Sequence, residues 1–410
     1  MKDTQLYSQI LGIQKPWKVS SVNVSLADDE VEVEVDYAGD KLRCPKCGTA
    51  CPRYDKRRRR WRHLDTCQLK TLLVADVPRV ECQEHGVVTV DVPWAEPGSG
   101  FTALFEAFVI DWLKTAAVSA VAERLRLSWN AVDGIMQRAV RRGLSRREAM
   151  APKRLSVDET SYRKGHDYIT VVTDQESGTV LHVAEDRITA SLGSFYEQLD
   201  EEQRNGIEAV CMDMWPAYIK ATRAAIPDAD QKIAFDRFHV AQYLGRGVDQ
   251  VRRDEHRKLV RGGDQQLKGT KYQWLRNRGN MSWHQQRAFT TLRQSSLKTA
   301  RAWAMKEFAA QLWHYQHRTW AAKGWTRLIN WMVRSRLAPM KKVAGTLKKY
   351  LWGIINAVIL KADNSFAESI NSRIKTVKVR ARGFRNKRRF RNAIYFHLGG
   401  LELYPAGTAR

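Results

Sequence analysis

Cys44-Pro-Lys-Cys47-Gly and Cys82-Gln-Glu-His85-Gly constrain this chain more than any other stretch, because two x2-spaced pairs can close around a single ion. The glycine after each pair permits a tight turn, and four such ligands complete a tetrahedral zinc. The spacing predicts a structural Cys3His site of Cys44, Cys47, Cys82 and His85, with no position left open for a reaction. Cys51, His63 and Cys67 lie between the pairs and could replace a ligand, so the fourth position stays open at this level. Six cysteines behind a start, MKDTQLYSQI, that lacks an apolar signal core suit metal ligands or reduced thiols better than disulfides. The expected compartment is therefore the cytoplasm.

Charge narrows the partner. The chain of 410 residues carries 69 Lys and Arg against 44 Asp and Glu, a formal +25. A polyanion is the natural partner for such an excess, since each neutralised phosphate releases condensed counterions. With 43% apolar residues and no run of about 18 of them, a folded chain without a spanning helix or membrane partner is expected.

Taken in order, a short helix is predicted around Leu6 to Leu11, then strands over Trp17 to Leu26 and Val31 to Tyr37. The glutamates of the second strand read as a solvated face. Between the knuckles, Lys56-Arg57-Arg58-Arg59-Arg60-Trp61-Arg62 puts six cations around one tryptophan, which suits phosphate contact plus stacking from a zinc-stapled loop. The Pro and Gly cluster from Pro93 to Gly100 reads as a linker. From Ala117, one helix ending near Leu125, a tight turn and a second helix capped by Ser128 form a helix-turn-helix pattern. Ser128, Asn130 and Asp133 are then expected toward a DNA groove, with Val132, Ile135 and Met136 inward. Arg138, Arg141, Arg142, Arg146 and Arg147 follow as a basic linker.

Strand patterns begin at Leu155: LSVDE, then DYITVVTD after a turn at Gly165 and His166, then TVLHVAED. A helix candidate runs from Ser191 to Glu202. The buried strand Ile207 to Asp213, the helix Trp215 to Ala225 and the strand Lys232 to Asp236 follow. Three strands in meander and then alternating helix and strand indicate a mixed α/β sheet. Asp158 and Asp213 each ride one of its apolar strands, and parity separates Asp158 from Glu159, so only one of that pair should face Asp213. Far downstream, Asp363-Asn364-Ser-Phe-Ala-Glu368-Ser-Ile-Asn371-Ser-Arg373-Ile-Lys375 has helical spacing. Glu368, Asn371, Ser372 and Lys375 share one side, and Phe366, Ile370 and Ile374 turn toward a core. Ten cations fall from Arg373 to Arg391; Arg373, Lys375, Arg380 and Arg382 are candidate phosphate contacts with Arg57, Arg58, Arg59, Arg60, Arg62 and Arg138.

The two knuckles, VPRVEC from Val77, VDET from Val157, CMDMWPAYIKA from Cys211, FDRFHV from Phe235, NSFAESINSRIK from Asn364 and GFRN from Gly383 together resemble the DDE transposases of bacterial insertion sequences, specifically the ISL-three family. The resemblance spans nearly the whole chain. It implies a ribonuclease-H-like catalytic sheet with Asp158, Asp213 and Glu368 as the DDE triad. The family's last motif usually has Ser or Thr then Asn ahead of the glutamate and Gly after it; here Asn364 is kept, but Asp363 precedes it and Ser369 follows Glu368.

Oxygen-only ligands suit Mg2+ or Mn2+, two per site and ~3.5 to 4 Å apart, which would compensate charge at a phosphodiester. Water would first free the 3′-hydroxyl at the element end, and that hydroxyl would then attack target DNA. Asp236 reads as a cap for the helix that follows it, with a place near the metals as the alternative, and the role of His239 is open. Residues 237–360 hold no proline until Pro339 and eight of the fourteen tryptophans, which predicts an all-helical insertion. From Arg261 to Ala362 two acids, Asp264 and Glu307, meet twenty Lys and Arg, as a DNA clamp would need, while Trp303, Trp313, Trp320 and Trp331 read as core.

The expected domains are a zinc ribbon over 1–100, a helix-turn-helix and basic linker over 101–150, a catalytic domain of 151–236 with 361–400, and the insertion at 237–360. The expected function is binding of terminal inverted repeats followed by cleavage and strand transfer into target DNA, in a homodimer or larger synaptic assembly. A transposase-derived DNA-binding regulator without catalysis is the alternative.

Overall fold

A computed structural model describes residues 2–39, 41–163, 167–276, 278–295, 297–362 and 365–408, with backbone alone at 365–367. The turn at Gly165 and His166, the Asp363 and Asn364 positions and the side chain of Phe366 lie outside the described residues. The chain divides into two compact units, residues 1–147 with 401–410, and residues 148–400.

In the first unit, a helix over Asp3–Ile10 precedes strands β1 (Trp17–Ser25), β2 (Glu30–Tyr37), β3 (Arg53–Thr66), β4 (Leu69–Cys82) and β5 (Gly86–Thr89). They order as β1-β2-β4-β3, with β5 on β4. Strict alternation in β2 buries Val31, Val33 and Val35 against Trp17, Trp61, Leu73 and Trp94. The intervening glutamates therefore fall on the opposite face.

The basic run is not a loop. It forms the central half of β3, paired antiparallel with β4, because long-range pairing with an apolar strand outweighs the poor strand propensity of consecutive arginines. Beyond it lie helices Ala103–Thr115, Val118–Arg124 and Trp129–Arg146. Residues 401–410 return to this unit: Tyr404 Oη donates to Asp111 at 2.5 Å, and its carbonyl accepts from Arg146 at 2.7 Å. A Cβ at Gly143 would lie 2.7 Å from that of Leu401, so the close approach needs glycine there.

The second unit is built on β6 (Arg154–Arg163), β7 (Asp167–Asp174), β8 (Val180–Glu185), β9 (Ala209–Met212) and β10 (Ile233–Phe235), ordered β10-β9-β6-β7-β8. The β6–β7 and β7–β8 pairs are antiparallel; β6–β9 and β9–β10 are parallel. The single helix expected over 191–202 is two, Thr189–Tyr196 and Glu201–Gly206, the second capped by Asp200, which accepts from Gln203 N at 2.8 Å. Regular structure from Arg237 to Leu360 is helical among the described residues.

These helices share one apolar core with the sheet, running from Leu155, Val157 and Met212 to Trp325, Leu347 and Ile354. The helix Leu351–Leu360 lies so close to β10 that a Cβ on Gly353 would sit 2.4 Å from the Phe235 ring. Its buried Asn356 donates to Ile233 O and Asp230 O, both at 2.8 Å, and accepts from Arg318 at 2.8 Å. Paired in this way, the amide caps an edge strand without leaving a buried polar group unsatisfied. Trp303 is buried, but Trp320 and Trp331 are 58% and 38% exposed, against the expectation that both are core.

Candidate functional site

The two knuckles meet. Cys44, Cys47, Cys82 and His85 offer four donor atoms that all lie within 4.8 Å of one another. Cys47 Sγ to Cys82 Sγ is 3.7 Å, and His85 Nδ1 is 3.7 and 3.6 Å from Cys44 and Cys82. Bonds of ~2.3 Å to sulfur and ~2.0 Å to nitrogen set tetrahedral edges of about 3.8 and 3.6 Å, so the cluster has the dimensions of a zinc site. The alternatives stand apart: His63 Nδ1 is 2.9 Å from Thr102 Oγ1, Cys51 is bonded to Thr49 O, and Cys67 sits exposed at the β3–β4 turn. Burial with Arg62 beside it pushes the His63 imidazole down to about 4, so it sits neutral in the core.

The helix-turn-helix forms where its pattern lies. Val118–Arg124 ends at Leu125, Arg126 turns the chain at φ +53°, and Ser128 Oγ accepts from Ala131 N at 3.1 Å as the cap of Trp129–Arg146. Val132, Ile135 and Met136 are buried, and Ser128, Trp129 and Asn130 are exposed. Asp133 differs from expectation: it is buried and accepts from Gln137 at 2.7 Å. Arg126 ties the turn to the β3–β4 hairpin through Asp65 at 2.9 Å and Gln68 O at 2.8 Å.

Several arginines expected on DNA are engaged inside this unit. Arg138 and Arg142 converge on buried Glu106 at 2.6 and 2.9 Å, and Arg142 also holds Glu96. Arg62 is buried against Asp65 at 2.5 Å, and Trp61 is core. Arg58 pairs with Glu34 at 2.5 Å, Arg60 with Glu32 at 2.7 Å and Lys56 with Asp76 at 2.7 Å. Arg59 lies over the Trp61 ring at 4.9 Å, while exposed Arg57 has no acidic partner among the described residues.

In the second unit, register brings two of the carboxylates together. Val157 pairs with Met212 in the last rung that β6 shares with β9, so the next positions, Asp158 in mid-β6 and Asp213 just past β9, are neighbours. Asp158 Oδ2 accepts from Asn371 Nδ2 at 2.8 Å, and Oδ1 from Glu159 N at 2.7 Å. Burial, with the Asp236 and Glu159 carboxylates nearby, pushes Asp158 up to about 6 against the opposing pull of the Glu159 amide and His239.

His239 spans two acids, with Nδ1 3.6 Å from Asp213 Oδ1 and Nε2 3.7 Å from Asp236 Oδ2. Asp236 caps Arg237–Arg261 by accepting from Phe238 N at 2.9 Å, and it also faces this cluster. Glu159, the next residue on β6, also lies near the acids: burial and Asp213 raise it while Arg187, its ion-pair partner, opposes. Arg187 in turn stacks on Trp215 at 3.9 Å.

Glu368 lies on the helix Ser365–Arg380, one turn before Asn371, exposed and without a salt bridge to any described residue. No group of three carboxylates among the described residues comes as close as the cysteine cluster does. Arg373 and Lys375 on that helix, and Arg382 beyond it, are exposed without acidic partners among the described residues; Arg380 is exposed on the same helix. Lys378 Nζ donates to Ser161 O at 2.9 Å, so the helix runs along β6 from Asp158 onward. Asn371, His239, Asp236 and Arg187 were the residues sequence reasoning did not assign to the site. Asn371 had a signal in its i+3 spacing from Glu368, and Asp236 and His239 in the FDRFHV motif, while Arg187 had none.

A zinc-knuckle domain and a helix-turn-helix ahead of a mixed sheet with acids on adjacent strands belong to proteins that bind DNA. Three family models match in that order: a zinc finger of the IS204/IS1001/IS1096/IS1165 transposases over residues 40–85, the helix-turn-helix domain of transposase family ISL3 over 90–140, and one described as "Transposase" over 155–394. The chain belongs to the ISL3 family of transposases. It is 28% identical to the transposase for insertion sequence element IS1557 of Mycobacterium tuberculosis, covering 94% of this chain and 93% of that one. To the transposase for IS1001 of Bordetella parapertussis it is 29% identical, covering 90% and 89%. It is thus a DNA-binding transposase with a zinc ribbon. No single helix among its described residues is long and apolar enough to cross a membrane.

Proposed function

We propose that this transposase binds the terminal inverted repeats of its element and cuts and joins DNA strands at Asp158, Asp213 and Glu368, acting in the cytoplasm on nucleoid DNA as a dimer or larger synaptic assembly. The sheet order, a three-strand antiparallel meander extended by two parallel strands beside β6, supports a ribonuclease-H-like core with 237–360 as its helical insertion. The observation that carries the reading is the 2.8 Å bond from Asn371 to Asp158, which holds the helix bearing Glu368 against β6 at the position next to Asp213.

Carboxylate oxygens suit Mg2+ or Mn2+. Two such ions would supply charge neutralisation at the scissile phosphate and an activated oxygen nucleophile. The chain's own residues orient and shield: Asn371 fixes one oxygen of Asp158, Arg187 holds Glu159, and His239 lies between Asp213 and Asp236, where it can hold a proton. Cys44, Cys47, Cys82 and His85 would carry a structural zinc. Ser128, Asn130, Arg57, Arg373, Lys375, Arg380 and Arg382 stand on exposed surface suited to DNA contact.

The test uses full-length protein, an end-labelled duplex bearing the terminal repeat, and Mg2+. Asp158→Asn, Asp213→Asn and Glu368→Gln should each lower strand cleavage by about 10^3-fold or more while duplex binding persists, as loss of metal-ion catalysis requires. Cleavage by all three at the wild-type rate would overturn the assignment. Tight end binding by the wild type without any cleavage would favour the regulator.

A further inference from the structure

The helix Arg318–Arg334 has two contrasting faces. Its inner side, from Ala321 through Trp325 and Leu328 to Met332, is buried. At 100° per residue, Trp320, Lys323, Arg327, Asn330, Trp331 and Arg334 fall within one sector of about 100° on the other side. All six are exposed, and the last five line a shallow groove of about 680 Å3. The Lys323 ammonium already lies 5.0 Å from the Trp320 ring centroid. Neither Lys323, Arg327 nor Arg334 makes a salt bridge to a described residue, and the only acids between Arg261 and Ala362 are Asp264 and Glu307.

We infer that this face binds unpaired nucleotides of single-stranded DNA, an inference that rests on the chain's action on DNA. Charge alone would suit a duplex equally well. The indoles discriminate, because a base offers its π-face only when unstacked, and duplex DNA presents phosphates and groove edges instead. Eleven residues separate Trp320 from Trp331, about 16 Å along the axis, the length of roughly five stacked nucleotides at 3.4 Å each. Between the two rings, Lys323 and Arg327 stand about 6 Å apart in axial rise, with Arg334 just past the second ring, so cations and stacking platforms share one track. An acidic protein surface would meet the cations but gain nothing specific from two flat rings at that separation.

The experiment measures anisotropy of a labelled oligo-dT 12-mer and of a labelled duplex of the terminal repeat, both against full-length protein. Trp320→Ala removes a mostly exposed ring, so its thermal melt should be unchanged; the Trp331 ring also packs edge-on against Phe308, so Trp331→Ala is compared with Trp331→Phe at matched melting temperature. Each should weaken oligo-dT binding about tenfold or more while duplex affinity holds within about twofold, with Trp→Phe restoring most of the loss. Lys323→Ala with Arg327→Ala should lower the salt slope for oligo-dT by about 0.7 for each phosphate left without its cation. Equal losses on duplex and single strand would overturn the inference, as would unchanged oligo-dT affinity. A variant that changes only the oligomeric state in light scattering would overturn it too, assigning the face to a second copy. If wild-type protein binds oligo-dT but neither binds nor cuts the terminal-repeat duplex, the proposed function fails and this site stands.

Discussion

On β3, Arg58 and Arg60 each meet a glutamate of β2, at 2.5 and 2.7 Å; on the helix Ser365–Arg380, Arg373 and Lys375 are exposed and meet no described acid. The first unit neutralises its charges internally, around a compact four-ligand cluster and a buried Glu106. The second leaves cations outward and gathers carboxylates that repel one another. A strand within a sheet is flanked by other strands' side chains, whereas an outward helix face sees mainly its own i±3 and i±4 neighbours. A basic run therefore reports on DNA contact only after the surrounding acids are known.

The largest effect should come from the cluster. Chelation, or Cys82→Ser, should unfold residues 41–95 and expose them to protease, since structural zinc contributes on the order of 10 kcal/mol to small domains. The second unit, with its own core, should stay folded by circular dichroism. Persistent protection of 41–95 after chelation would show that the pairing of charges, and not metal, holds the first unit.

Next, Glu106→Ala leaves Arg142 buried without one of its partners and should cost about 3–5 kcal/mol in urea unfolding. Glu34→Ala, at an exposed pair, should cost under about 1 kcal/mol. Similar losses would erase the distinction between buried and surface pairing.

Third, Arg373→Ala with Lys375→Ala should reduce duplex affinity on the order of tenfold and lower the salt slope by about 2, whereas Arg58→Ala with Arg60→Ala should stay within about threefold. The reverse ranking would break the comparison outright.

The smallest effect is a pH dependence. Asp158 is raised to about 6 from 3.8, so between those values the native state holds a proton that the unfolded chain has released. This group therefore adds stability as pH falls from 7 to 4 and withdraws it above 6. Asp158→Asn should flatten that slope and stabilise the protein at pH 8 by about 1 kcal/mol while it abolishes cleavage. Added Mg2+ should reverse the trend in wild type, because metal binds the deprotonated acid.

Much of this was legible in the chain itself, wherever the signal was local. Knuckle spacing located the cluster, Ser128 and the apolar period located the helix-turn-helix, and strand alternation located β1, β2 and β6 to β8. Asp158 and Asp213 were each visible as acids carried by apolar strands. What the tertiary structure decided was partnership. Only β3–β4 pairing made a strand of the arginine run and closed it against Glu32 and Glu34. Only packing chose His85 over His63, turned Asp133 inward, drew Arg138 to Glu106 and left Trp320 and Trp331 outside. The physical reason is range: spacing and periodicity follow from bonded geometry over a few residues, while neutralisation and burial depend on groups brought together from distant parts of the chain.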